Sequence, residues 1–349
     1  MASRWYAVEA LDEALERTRW LLFKDFKLSL WLKLALVVYL IGGGSFNGNF
    51  NVPGGENGMQ GPTAPNLKLI IAVLAVVLAF VLFFMFLKDV CEFIFIETAE
   101  TKKIELWKGF KRNLENGLNL FLFELVVIAV VIIVAVAAFL GFRSLLAGAS
   151  GLGPKLAIAV VGLAAAISIV LAIAIVGSLT TAFAIVIMHK ERKGLVNAWK
   201  KLLTLVEKNT RQFVVYIIIE LLLAFVAAMV VFAISLVIAL IAIAIIIIPA
   251  IIAAVIAIAL GLESNMLWLL LVPAIAFIIA YFMVVGYFSV LITLPVPVFF
   301  RYYSMIFLQK VDPKLAILKP EKDAAKTQSK KTGKKDGEKK KAGKRLRVY

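Results

Sequence analysis

The chain is nearly devoid of the two residue types from which disulfides and most metal centres are built: Cys91 is its one cysteine and His189 its one histidine. No intrachain disulfide can form, and no Cys/His zinc cluster can assemble. Cys91 stands in an apolar segment and reads as a small packed residue. His189 opens a charged loop and reads as solvated. Also missing are a phosphate-binding P-loop, a nucleophile elbow, a HExxH pair and a dinucleotide fingerprint. No catalytic residue, metal or cofactor is therefore assigned, and an enzyme is not expected. Acid is scarce too: 22 Asp and Glu against 38 Lys and Arg leave a net charge of +16.

What the chain has in excess is hydrocarbon. Hydrophobic residues make up 62% of it and mean hydropathy is +0.97, against about 45–50% apolar residues in soluble domains. Several apolar runs exceed the roughly 20 residues that cross a bilayer. The fold class is all-α: a polytopic membrane helical bundle with about six transmembrane helices, near 28–45, 67–96, 117–141, 156–188, 213–241 and 266–296. The apolar run from Phe213 to Leu262 is about twice one span. It is read as one crossing, a turn near Pro249 and a re-entrant hairpin, with seven spans as the alternative. Pro295 and Pro297 break or kink the sixth span.

Positive charge sets the orientation. Lysine and arginine crowd the N-terminal segment, the 97–116 loop and the 189–211 loop, whereas the 42–66 loop has none. A multi-pass protein of the cell membrane with both termini cytoplasmic is expected. The start lacks the ordered n-region and h-region of a cleavable signal peptide. Residues 1–27 form an amphipathic cytoplasmic helix, with Val8, Leu11, Leu15 and Leu22 on one face. It either lies at the interface or docks on the bundle. Residues 28–308 form the bundle and 309–349 a basic disordered tail. From Lys319 onward the tail carries 13 basic and 4 acidic residues, a composition that cannot bury a core. It could touch anionic lipid headgroups, RNA or a ribosome; membrane lipids are the one general partner, and protein partners are not identified.

Three stretches look alike. Each has a Trp-containing basic amphipathic helix, a polar hinge and then a span, and alignment superposes "LWLKLAL", "FLFELVV" and "IIIELLL". Lys33, Glu124 and Glu220 become equivalent, all some 10–12 Å along their spans from the basic side. A charge at a helix centre costs about 2.5–3.5 kcal/mol, less near the edge, and so calls for a partner or an aqueous surface. Asp89 and Glu92 add carboxylates near the basic end of the second span, beside Lys88. Two readings stay open. Lys33, Asp89, Glu92, Glu124 and Glu220 line a polar cavity facing the cytoplasm, or a Lys33–Glu pair fixes helix packing. In the fourth span Gly162, Ala166, Ala174 and Ser178 form a small-residue packing stripe. Arg301, Tyr302 and Tyr303 are expected as interfacial anchors.

The segments "ALDEALERTRWLLFKDFKLSLWLKLALVVYLIGGG" and "PVPVFFRYYSMIFL" carry a resemblance, over residues 5 to 315, to a family of uncharacterised archaeal multipass membrane proteins. The chain is also distantly similar to the membrane domain attached to some bacterial glycerophosphodiester phosphodiesterases. It lacks the phosphodiesterase domain, so that activity is not implied, and neither resemblance supplies functional residues. A noncatalytic scaffold or assembly factor engaging cytoplasmic partners or lipids is the leading functional expectation. A transporter or channel built around the intramembrane carboxylates is the alternative.

Overall fold

The computed structural model describes residues 5–24, 26–42, 67–259 and 264–318. The Gly/Asn/Pro-rich loop after the first apolar run and the Lys-rich tail lie outside them. Among the described residues there is no strand. The helices are α1 (Tyr6–Arg19), α2 (Leu28–Ile41), α3 (Leu67–Thr101), α4 (Leu106–Gly148), α5 (Leu152–Leu179), α6 (Ile185–Glu191), α7 (Leu195–Lys208), α8 (Thr210–Ala259), α9 (Ser264–Thr293) and α10 (Pro295–Val311). Single π-helical turns follow α1 at Trp20–Lys24 and join α5 to α6 at Thr180–Ala184.

Four helices are long and apolar enough to cross a membrane, and α9 with α10 makes a fifth candidate, bent by 54°. The bend falls where Pro295 and Pro297 remove backbone N–H donors, as the sequence predicts. Helix α2 is apolar but has 14 residues, about 21 Å against a hydrocarbon core of about 30 Å. Helix α8 corrects an expectation: it does not turn near Pro249 but continues as one helix to Ala259. Isoleucine, valine and alanine surround that proline in sequence, and membrane helices tolerate proline where neighbouring groups or local adjustments satisfy the freed backbone.

The three similar stretches take unequal forms. Helices α1 and α2 are separate, and α7 parts from α8 at Asn209, whose backbone leaves the helical region. The middle copy has no hinge: its amphipathic segment and span form the single helix α4.

The packed core sits at the end of the bundle that bears the basic loops. The end of α3, the π turn at 180–184, α6 and α10 are almost wholly buried there, whereas the far halves of α4, α5 and α8 expose apolar side chains along their length. Two glycines fix close crossings. A Cβ on Gly117 would lie 2.5 Å from Val90 Cγ2, and one on Gly162 would lie 2.7 Å from the Phe142 ring. An aromatic cluster of Phe183, Phe213, Tyr216, Tyr303 and Phe307 joins the π turn, α8 and α10, with the Tyr216 and Tyr303 rings stacked at 4.8 Å.

Helix α1 docks on the core against α10, and its inner face is not the expected one. Ala7, Ala10, Ala14 and Thr18 are buried, whereas Val8 and Leu15 are each 50% exposed. Small side chains let two helices approach closely, so the alanine face wins the contact and the larger residues turn outward. Leu22 is buried as expected. The Tyr6 backbone N–H donates to Gln212 Oε1 at 3.1 Å, and Lys310 lies 3.6 Å from both Glu9 and Glu13. The chain does not loosen at 309: α10 runs to Val311, and Leu315, Ile317 and Leu318 are buried.

Candidate functional site

Of the five charges expected around one cavity, four divide into three arrangements and Lys33 joins none of them. Glu124 accepts from Lys88 Nζ at 2.8 Å through both carboxylate oxygens, so its partner is the lysine on α3 and not Lys33. The same ammonium stands 3.4 Å from Asp89 Oδ1. Asp89 is fully buried, and neither of its oxygens accepts a hydrogen bond among the described residues. Lys33 is exposed on α2, with no ion pair among the described residues. Its long side chain projects from an outward face of the bundle, which is why it meets neither glutamate.

Glu92 forms the second arrangement. Its Oε2 accepts from Arg301 Nη2 in a buried ion pair between α3 and α10. Arg301 Nη1 also donates to the Thr181 carbonyl at 2.8 Å, and the guanidinium lies 5.2 Å from the Phe95 ring centroid. That carbonyl lies in the π turn, whose irregular ladder leaves backbone acceptors available. Arg301, Tyr302 and Tyr303 are therefore interior residues rather than interfacial anchors: the last two are 1% and 0% exposed. Tyr302 donates to the Ala99 carbonyl at 3.0 Å. The Tyr303 hydroxyl has no hydrogen-bond partner among the described residues.

Glu220 forms the third. It lines a cavity of about 200 Å³ with Arg301, Ser304, Ser178 and Thr181, walled by Val38, Ile41, Phe95, Pro297 and Phe300. Six segments therefore meet there: α2, α3, α5 with its π turn, α8 and the kinked start of α10. Among the described residues Glu220 has no ion-pair partner. The Tyr216 hydroxyl, one helical turn away, approaches its carboxylate without hydrogen-bond geometry. Buried polar groups are ordinarily satisfied by protein, water or ligand. Here the half-buried Glu220 lines the cavity, and the buried hydroxyls of Tyr216 and Tyr303 have no hydrogen-bond partner among the described residues.

Of the expected cluster, then, only Glu220 lines this cavity, with Glu92 behind it through Arg301. Sequence reasoning missed Lys88 as the bridging cation, Arg301 as a cavity group and Tyr216. The signals were modest: a lysine beside Asp89, an arginine just after a proline kink, and a tyrosine four positions before Glu220. A second, wider cleft of about 730 Å³ opens among the basic loops, lined by Glu97, Glu100, Arg112, Asn113, His189 and Arg192 with their neighbours. His189 is not simply solvated: its Nε2 lies 3.4 Å from Glu100 Oε2. No group of three or more His, Cys, Asp or Glu that could hold a metal occurs among the described residues.

Residues 5–318 match the model of a family described as Family of unknown function (DUF7544). No curated protein and no solved structure matches the chain. The chain belongs to that family of unknown function.

Proposed function

We propose that this member of the family is a noncatalytic multi-pass protein of the cell membrane that carries a small polar solute through the cavity at Glu220. Both termini are cytoplasmic in this reading, which counts α2 as a crossing beside the four long helices and the bent α9–α10 pair. The observation that carries the proposal is the convergence of Glu220, Arg301, Ser178, Thr181 and Ser304 on one cleft among helices otherwise made of hydrocarbon. Ionisable groups within apolar spans are costly and concentrate along solute paths. Two features beside the cavity support movement: the π turn at 180–184 and the 54° break before α10. Discontinuous helices at a midplane site are common in carriers.

The test is purification of the intact protein and of a Glu220→Gln variant, followed by mass spectrometry of co-purifying small molecules and counterflow in proteoliposomes. The carrier reading expects a solute class that is retained and exchanged by the wild type and lost in the variant. Identical retention and exchange by the two would overturn it.

A scaffold or assembly factor is the second reading, supported by α7. That helix buries Leu195, Ala198 and Leu202 while Val196, Leu203 and Lys200 remain exposed. It thus offers a mixed apolar and basic outer face to lipid headgroups or a protein partner. The basic tail, read as a partner for anionic lipid, RNA or a ribosome, belongs to this reading.

A further inference from the structure

The Glu220 cavity presents both signs of charge, and no ion pair joins them. Glu220 offers a carboxylate that has no cationic partner among the described residues. Arg301 offers a guanidinium fixed on its far side. One N–H is given to Glu92 and one to the Thr181 carbonyl. A guanidinium carries five N–H donors in a planar fork, so three are not used by those bonds. Around the two charges stand hydroxyls that can accept or donate. The Ser304 hydroxyl donates to the Arg301 carbonyl and the Thr181 hydroxyl to the Gly177 carbonyl, which leaves lone pairs on both. The rest of the wall is aliphatic or aromatic: Val38, Ile41, Phe95, Pro297 and Phe300.

A ligand that satisfies this wall must bring a cation to Glu220 and an anion to Arg301, and must fill the space between with hydrocarbon. A simple amine would leave the arginine donors unmet. A simple acid would add a third carboxylate beside Glu92 and Glu220 without its own counter-charge. At about 200 Å³ the space is smaller than the ~300–1,000 Å³ typical of drug-sized ligands. We infer that the cavity takes a small zwitterion of the α-amino-acid class with an apolar side chain, its ammonium at Glu220 and its carboxylate at the free N–H edge of Arg301. This rests on the reading of the cavity as a solute site. It adds the chemical class and the polarity with which the ligand lies.

The experiment uses the full chain in lipid nanodiscs, with radiolabelled L-alanine, L-valine and L-leucine as probes in a scintillation proximity assay. Isobutylamine and isovalerate serve as the two half-ligands, and L-valinamide as the amine without a carboxylate. Saturable binding of at least one amino acid is expected, with each half-ligand and the amide competing at least tenfold more weakly. Glu220→Gln, which preserves size, should weaken amino-acid binding tenfold or more while its size-exclusion profile stays that of the wild type. Equal competition by isobutylamine or L-valinamide would make the site one for cations and overturn the zwitterion, leaving the carrier reading in place. Absence of binding by all three amino acids would overturn it as well. The carrier reading itself then stands or falls on the counterflow comparison. Unchanged amino-acid binding in a folded Glu220→Gln protein would move the ligand elsewhere and also defeat the assignment.

Discussion

Arg301 on α10 closes on Glu92 of α3 across 209 positions of sequence, and the pair is buried among side chains rather than set at a lipid interface. It joins a helix that begins at a proline kink to the 35-residue helix α3. A second bond, to the Thr181 carbonyl, draws in the irregular turn after α5. One side chain thereby holds together three of the segments that enclose the Glu220 cavity.

Breaking that pair from one side should be severe. Glu92→Leu leaves the guanidinium buried with no counter-charge, and losses of about 3–5 kcal/mol are typical when one partner of a buried pair is removed. The double variant Glu92→Leu with Arg301→Met should recover a substantial part of the loss. Thermal unfolding in detergent, read across the two single variants and the double, measures the coupling.

The two neighbouring tyrosines should respond differently to loss of the hydroxyl. Tyr302→Phe removes a bond to the Ala99 carbonyl and should cost about 1 kcal/mol. Tyr303→Phe removes a hydroxyl that has no hydrogen-bond partner among the described residues, so stability should be unchanged or slightly higher. Equal destabilisation by the two would show that Tyr303 is satisfied after all.

Gly117 should tolerate nothing larger. Its added Cβ would meet Val90 Cγ2 at 2.5 Å and the Val90 backbone at 3.0 Å. Because a backbone atom cannot swing aside, Gly117→Ala should push α3 and α4 apart and cost about 1–3 kcal/mol. The control is Gly141→Ala on the same helix, where a Cβ meets nothing within 4 Å and the unfolding midpoint should not fall.

Cys91, as the sole thiol, reports directly on packing. It is 3% exposed in the core at the basic end. A membrane-permeant maleimide should leave the folded protein unlabelled over a time in which the unfolded chain labels fully. Rapid labelling of the folded protein, followed by mass spectrometry, would contradict the packing of α3 described above.

Much of the architecture was legible because apolar length and proline position are one-dimensional properties. The four long apolar helices, the kink at Pro295 and the all-helical class follow from them. The rotation of each helix was not legible. In "FLFELVVIAVV" every face is apolar, so no periodic pattern says that Glu124 points at Lys88 rather than Lys33. The equivalence of Lys33, Glu124 and Glu220 in the repeat did not help, since equivalent positions in three unequal copies meet different neighbours. At α1 the pattern that was read, Val8 with Leu15, competed with an alanine face of the same period. The close approach that alanine allows decided the outcome, and a hydropathy scale does not weigh closeness.

The docking of α1 also has a consequence in time. Its alanine face is covered by α10, and Glu9 and Glu13 meet Lys310, some three hundred positions later. At synthesis rates of about 5–20 residues per second, α1 is made on the order of 15–60 s before the α10 surface that covers its alanine face. Through that interval the spans from α2 to α9 are laid down, and α8 with Gln212 becomes available to α1 before α10 does. Its closure onto α10 is thus a late event in the assembly of this bundle, a latch that can shut only once α10 has been made.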